Sequence, residues 1–342
     1  MSLINQDYIN TFSTSLPHGS CTSQNIGVRK EWEILSEDEK NNYLKAVQCL
    51  QAKPPQYNDT MALNRYEEFI LSHIEQTLKI HISGLLLPWH RYFVSLFEQA
   101  LRNECGYQGY QPYWDWSKHV IQQNSTIFSG SENSYGGNGE AIPHGEYNIT
   151  TAGGPPPVTT SLQPPGTGGG CIFGGPFANH NLSIDATNDG ASTPVQTFKK
   201  PRCLTRDFNL TTLSRQNSYE RVTELILNNE NIKSFHAQIE DVNGVHFGGH
   251  AFIGGENFNL FTSPSDPAFY LHHGMLDRVW AIWQSRDPKT RTYAVDGTST
   301  WANYPPSANV TIDDILEVSS FDSMKIKDVS STIDGILCYR YQ

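Results

Sequence analysis

The sequence has no run of lysines and arginines, and its 24 basic residues are outnumbered by 35 acidic ones, for a formal net charge of -11. Such a chain lacks the basic footprint with which proteins grip nucleic-acid phosphates. Long apolar runs are missing too: the longest, around Leu85 to Trp89, is far shorter than the roughly 20 residues of a membrane-spanning helix. No two cysteines stand three apart as CxxC, which excludes zinc ribbons and thioredoxin-like redox motifs. The opening residues, MSLINQDYIN, have neither the basic nor the apolar region of a secretory leader. No linker-like stretch with a composition shift on both sides divides the 342 residues, which therefore read as one large domain.

Six cysteines are present, Cys21, Cys49, Cys105, Cys171, Cys203 and Cys338, an even set suited to disulfides. The pairs expected are Cys171 with Cys203 and Cys21 with Cys49, leaving Cys105 and Cys338. Glycosylation sequons stand at Asn58, Asn124, Asn148, Asn181, Asn209 and Asn309. Together these features point to a secreted glycoprotein whose signal peptide is not part of this chain.

The chemistry is concentrated in residues 246 to 283, HFGGHAFIGGENFNLFTSPSDPAFYLHHGMLDRVWAIW. His246 and His250 stand four apart, so one helical turn brings both imidazoles to one face. A third imidazole comes from His272 or His273, early on a helix that starts at Ser265 or Asp266 with Pro267 at its first position. Three imidazoles with open positions suit Cu, Zn, Fe or Ni, and spacing alone does not choose among them.

Upstream, Ser36 and Glu39 form a capping box ahead of an amphipathic helix that includes Tyr43, Leu44, Val47 and Leu50. A second helix runs from Asn64 to Ile80 and carries His73. On one unbroken helix His73 and His81 would be about 12 Å apart at about 1.5 Å per residue. To share an ion, the helix must end near Lys79 and His81 must return on a loop, for which Gly84 and Pro88 provide the break. A third helix after Pro88 then has His90 at its buried N-terminal end, completing a second trio. YQGYQPYWDWS, residues 107 to 117, reads as structural support. Residues 129 to 176 show no periodicity and read as a long loop, 218 to 240 as one helix, and Val310 to Ile312, Ile315 to Val318 and Ile333 to Tyr339 as short strands.

These segments resemble the type-3 copper family, and within it the short fungal tyrosinases and catechol oxidases. The resemblance rests on HISGLLLPWHRYFVSLFEQAL, PYWDW, PPGTGGGC followed by GPF, PRCLTRDFN and SDPAFYLHHGMLDRVWAIWQ, in the family's order over most of residues 21 to 342. It implies a mainly α fold, a four-helix bundle around two copper ions with long loops and a few short strands. It places His73, His81 and His90 on the first copper and His246, His250 and His273 on the second, with O2 as co-substrate and a small phenol as partner. It makes His272 a neighbour of the ligands, Phe269 the ring that stacks on a ligand imidazole, and Asp277 a carboxylate placed to orient a ligand N–H. Tyr339 and Tyr341 match the closing tyrosine motif, with Arg29 as partner, and no C-terminal shielding domain follows.

Two departures shape the expected activity. Lys79 stands where some relatives carry a cysteine cross-linked to the loop ligand. Phe247 stands where good monophenol hydroxylases often have Asn, thought to fix a basic water together with a Glu, here the candidate Glu240. Without that amide, deprotonating a phenol of pKa about 10 is harder. The expectation is oxidation of o-diphenols to o-quinones with weak or no monophenol hydroxylation, and Phe247 and Ala251 lining the entrance. The competing expectations are an o-aminophenol oxidase or oxidase of a bulkier phenol, a tyrosinase with real monophenolase activity, a haemocyanin-like O2 carrier, and a zinc or metal-free protein. The other histidines, His18, His119, His144, His180 and His236, read as ordinary surface or core residues.

Overall fold

The structure, a computed structural model, describes residues 2–14, 21–57, 61–118, 125–150, 160–187 and 195–342. His18, His119 and the sequons at Asn58 and Asn124 lie outside the described residues, as do residues 151–159 of the long loop.

Helix α1 (Ser2–Thr14) precedes α2 (Glu37–Ala52), which starts as its capping box requires: Ser36 Oγ accepts the Glu39 N–H and the Glu39 carboxylate accepts the Ser36 N–H. In α3 (Arg65–Ile80) the cap is Asn64, whose Oδ1 accepts the Glu67 N–H. Helix α4 (Leu86–Cys105) ends on Gly106 at φ +69°. Its start precedes Pro88, which occupies the first turn, where a missing N–H leaves no bond unmade.

Helices α5 (Leu210–Gln216), α6 (Tyr219–Asn228) and α7 (Ile232–Glu240) follow. The helix expected over 218 to 240 is thus two. Asn229 folds its amide back onto the Leu225 carbonyl, and Asn231 starts α7 by accepting the Ser234 N–H. Helices α8 (Val245–Ile253) and α9 (Ala268–Ser285) complete the set around the site. At the start of α9 it is Asp266, not Ser265, whose side chain accepts the Ala268 N–H.

The strands form only two-stranded ladders: parallel β1 (Gly27–Arg29) with β10 (Tyr339–Tyr341), and antiparallel β2 (Gly139–Ala141) with β5 (Gly169–Ile172), β3 (Tyr147–Thr150) with β4 (Thr160–Gln163), β6 (Asn181–Thr187) with β7 (Gln196–Cys203), and β8 (Ile315–Leu316) with β9 (Met324–Lys325). Two of these ladders fall in the region read as featureless loop. In the β2–β5 ladder the backbones approach closely: a Cβ on Gly139 would lie 2.2 Å from the Gly170 carbonyl oxygen. Of the three strands expected near the C-terminus, Val310 to Ile312 is loop, Ile315 to Val318 shortens to β8, and Ile333 to Tyr339 gives way to β10.

The disulfides are Cys171–Cys203, as expected, with Cys21–Cys338 and Cys49–Cys105 in place of the expected Cys21–Cys49. Tertiary approach decides the pairing. The β1–β10 ladder continues into a Gly27 N–H bond to the Cys338 carbonyl, 2.9 Å, and so draws residue 21 toward 338. Cys49 and Cys105 lie near the C-terminal ends of α2 and α4. One sequon is also corrected: Asn209 is 3 % exposed, caps α5, and donates its amide to the Pro164 carbonyl, so no glycan fits it in the folded chain.

The larger apolar cluster among the described residues runs from Ile4 to Tyr341 through the four helices α3, α4, α8 and α9. Trp114 and Trp116 of the PYWDW segment are fully buried, Trp116 against the His272 ring at 5.2 Å.

Candidate dinuclear metal centre

Each of the six expected ligands is placed by a local feature. His73 projects from α3, while His81 is that helix's C-cap with an extended backbone (φ -121°, ψ 148°), so the chain leaves the helix there and turns the ring back. His90 sits in the first turns of α4, His246 and His250 one turn apart on α8, and His273 early on α9. The rings of His73, His81 and His90 lie 5.1 to 5.7 Å apart, and those of His246, His250 and His273 5.0 to 5.3 Å apart. The two trios face one another: His81 stacks on His246 at 5.9 Å and His90 on His273 at 4.2 Å.

The nitrogens fit a metal pair. His73 Nδ1–H donates to the Phe261 carbonyl at 2.9 Å, His81 Nδ1–H to Thr77 at 2.9 Å, His90 Nδ1–H to Leu86 at 2.8 Å, and His250 Nδ1–H to Asn257 at 2.8 Å. These bonds fix the tautomer, so Nε2 carries the lone pair of each ring. The Nε2 atoms of His73, His90 and His246 are buried with no hydrogen-bond partner among the described residues, and those of His250 and His273 approach to 3.2 Å. Buried acceptors left unpaired are costly unless a ligand takes them. Burial also holds the imidazoles neutral, with His81 and His250 lowered to about 4, which keeps the lone pairs available for a cation. In each group one nitrogen per ring lies within 4.8 Å of the others.

His272 falls within the second group by that distance. Its Nε2–H, however, donates to the His246 carbonyl at 3.0 Å, and its ring rests against Gly249, where a Cβ would meet it at 2.2 Å. Phe269 lies between the trios, 4.1 Å from the His273 ring and 5.5 Å from the His73 ring. Asp277 does not orient a ligand. Although one turn from His273, it turns outward to accept from Arg29, Arg91, Tyr339 and Tyr341. Its carboxyl pKa is lowered: burial opposes the shift, and the guanidinium groups of Arg91 and Arg29 outweigh it.

Phe247 is half-buried beside His246, ring to ring at 5.9 Å, and like Tyr147 and Phe258 packs against the buried cluster of Val242 and Ala251. Ala251 is fully buried in the same patch, so it forms the floor under Phe247 and no part of an open rim. The candidate Glu240 has one carboxylate oxygen on the Ile82 N–H and the other 3.2 Å from His236 Nε2, and burial raises its pKa well above the ordinary carboxyl value. His236, read as an ordinary surface or core residue, is a buried core residue with its Nδ1–H on the Asp296 carbonyl. Tyr147 and Phe258, 5.8 Å apart, are residues the sequence did not single out, because Tyr147 reaches the site only through the β3–β4 ladder.

Residues 63–286 match the family model described as the common central domain of tyrosinase. The chain is 38 % identical over 301 residues to the tyrosinase-like protein orsC of Emericella nidulans, covering 83 % of this chain and 81 % of that one. With tyrosinase P of Aspergillus terreus it shares 36 % over 343 residues, 95 % and 94 % of the two chains. The solved structure of a mutant polyphenol oxidase from Thermothelomyces thermophila superposes with a TM-score of 0.87 at 37 % identity, covering 100 % of this chain and 94 % of that one. With paired histidine clusters at the place where the family holds its dinuclear copper centre, this chain belongs to the tyrosinase family of type-3 copper oxidoreductases.

Proposed function

We propose that the protein oxidises o-diphenols to o-quinones with O2, and hydroxylates monophenols weakly or not at all. His73, His81 and His90 would hold one copper and His246, His250 and His273 the other. The observation that carries the reading is two facing trios of buried imidazoles, four of them anchored through Nδ1 on backbone carbonyls, with the Nε2 atoms of His73, His90 and His246 left without a hydrogen-bond partner among the described residues. Copper held there would supply the redox chemistry by which two diphenols, giving up two electrons each, reduce one O2 to two waters.

The chain's own part is positional. Carbonyl bonds to Nδ1 fix ring orientation, Phe269 separates the trios with an apolar ring, and the buried setting excludes water from the reacting phenol. Phe247 offers a substrate a ring face and no amide. That lack of a group to fix a basic water beside His246 supports diphenol over monophenol chemistry.

The whole chain is proposed to act as one catalytic unit, and its three disulfides favour a secreted protein. Among the described residues no helix is long and apolar enough to cross a membrane. A second reading, oxidation of an o-aminophenol or a bulkier phenol, is favoured by the aromatic patch of Phe247, Tyr147 and Phe258, which extends the apolar surface beyond one ring.

The test is a steady-state panel on copper-reconstituted protein: a catechol, the matching monophenol and a 2-aminophenol. Fast catechol turnover with slow monophenol turnover is expected. Equal rates on monophenol and catechol, or no catechol turnover, would overturn the reading.

A further inference from the structure

We propose that Glu240 is a positioning residue whose carboxylate latches the loop carrying His81 to helix α7, which leads into α8 of the second trio, in place of the water-holding part its sequence position suggests. The inference rests on the ligand assignment above.

Ile82, directly after His81, sits at φ +46°. That is the left-handed region, where a β-branched residue is held only by its surroundings. Both its backbone groups are held. The Ile82 N–H donates to Glu240 Oε1, and the Ile82 carbonyl accepts the Ala302 N–H at 2.9 Å. The next turn of the loop is clamped as well. Gly84 donates its N–H to the Thr298 carbonyl at 2.9 Å, and a Cβ there would lie 2.8 Å from the Asp296 carbonyl oxygen.

The second carboxylate oxygen faces His236 on its own helix, whose Nε2 has no hydrogen-bond partner among the described residues. Glu240 Oε2 lies 3.2 Å from Nε2 of His236, one turn back on α7, and His236 Nδ1–H donates to the Asp296 carbonyl at 3.2 Å. Glu240 therefore ties α7 to the loop 81–84, while His236 on the same helix ties α7 to Asp296. Five residues after Glu240 the chain enters α8, whose His246 stacks on His81 with 7° between planes. Where Glu240 sits thus fixes how the loop ligand of one trio meets the first ligand of the other. A hydrogen bond from a backbone N–H to a carboxylate is among the stronger local restraints available.

The experiment compares Glu240→Ala, Glu240→Gln and the double variant Glu240→Ala/Ile82→Gly with the wild type. Copper per chain is measured after a fixed chelator challenge, with the melting temperature of each copper-free protein as a check on folding. Under a challenge that leaves the wild type with about two coppers, Glu240→Ala is expected to retain about one. Glu240→Gln should retain about two, because its amide oxygen still accepts the Ile82 N–H. The double variant should regain copper relative to Glu240→Ala, because glycine adopts the left-handed conformation without a latch.

Full copper retention by Glu240→Ala would overturn the proposal, as would copper loss in Glu240→Gln equal to that in Glu240→Ala. Should Glu240→Ala not fold, the double variant decides: about two coppers support the latch and about one refutes it. None of these readouts uses catechol turnover, so a wild type that binds two coppers and oxidises no catechol would sink the diphenol reading while leaving this one standing.

Discussion

The ring of His90 lies over the ring of His273, 4.2 Å between centroids and 14° between planes, so α4 and α9 meet through two imidazoles from opposite trios. His90 Nε2 has no partner among the described residues, and its Nδ1 is anchored on its own helix. Replacing either ring should empty one half of the pair and leave the other. His90→Ala and His273→Ala are each expected to bind about one copper per chain where the wild type binds about two. Catechol turnover should fall by more than the roughly 10–100-fold that loss of a supporting hydrogen bond causes. Elemental analysis with a turnover assay checks this, and two tightly held coppers in both variants would reject the ligand assignment.

Phe247 supplies the second prediction. If its apolar ring is what withholds monophenol chemistry, Phe247→Asn should raise the monophenol-to-catechol rate ratio by about 10²-fold, the low end for a well-placed proton acceptor. Catechol turnover should change far less. An unchanged ratio would show that the block lies elsewhere, with Tyr147 and Phe258 the next rings to replace.

What was legible in the sequence follows from what each signal measures. Helices α2 and α3 have polar caps and a one-sided apolar face, so their extents could be read from the sequence, while on α8 the four-residue spacing of His246 and His250 was the signal. Helix α9 could not be read that way, because every residue from Ala268 to Gln284 is buried and periodicity has no solvent face to find. The choice between His272 and His273 therefore came from family resemblance, and the His272 Nε2–H bond to the His246 carbonyl now supports it. Asp277 was misread because one turn along a helix fixes a stripe, not a partner. Two buried arginines and two tyrosines from the chain's other end draw it away. The pairs Cys21–Cys338 and Cys49–Cys105 were illegible for the same reason, while Cys171–Cys203 was read as it stands.

That Asp277 cluster makes the third prediction. Arg29 and Arg91 are fully buried, and Asp277 faces both, at 3.2 and 2.5 Å, with Glu98 on the far side of Arg29 at 2.9 Å. Asp277→Asn keeps the shape and removes the charge, leaving two buried cations with one carboxylate. A loss of about 3–5 kcal/mol is expected, as when one partner of a buried pair is removed. Urea unfolding of the copper-free protein would measure it. Folded Asp277→Asn should still take up about two coppers per chain, which a role in orienting a ligand would not allow.

The disulfides differ in the length of chain they close. Cys21–Cys338 spans 317 residues and Cys171–Cys203 spans 32. If constraint of the unfolded chain dominates, stabilisation grows as 1.5RT times the logarithm of loop length, which favours the long loop by about 2 kcal/mol. Serine pairs at Cys21 and Cys338 should thus cost about 2 kcal/mol more in denaturant unfolding than serine pairs at Cys171 and Cys203. Equal losses would mean that folded-state contacts set the difference.

His180 carries the last prediction, because it is a half-buried imidazole that belongs to neither trio. Its ring packs edge-on against Tyr66 at 5.7 Å, and its Nε2 is buried without a partner among the described residues. Burial lowers its pKa to about 4 from an ordinary 6.5, against the opposing influence of Asp266. Between those values the unfolded chain binds a proton that the folded chain refuses, so stability is full above about pH 6.5 and declines as the pH falls toward 4. One such proton contributes at most about 1.4 kcal/mol per pH unit to that slope. His180→Phe removes the titrating group but keeps a ring to pack on Tyr66. Its stability should fall less steeply with acid, by up to that amount, and match the wild-type slope above pH 7. Parallel curves from pH 4 to 6.5 would mean that His180 takes up its proton in the folded state as readily as in the unfolded one.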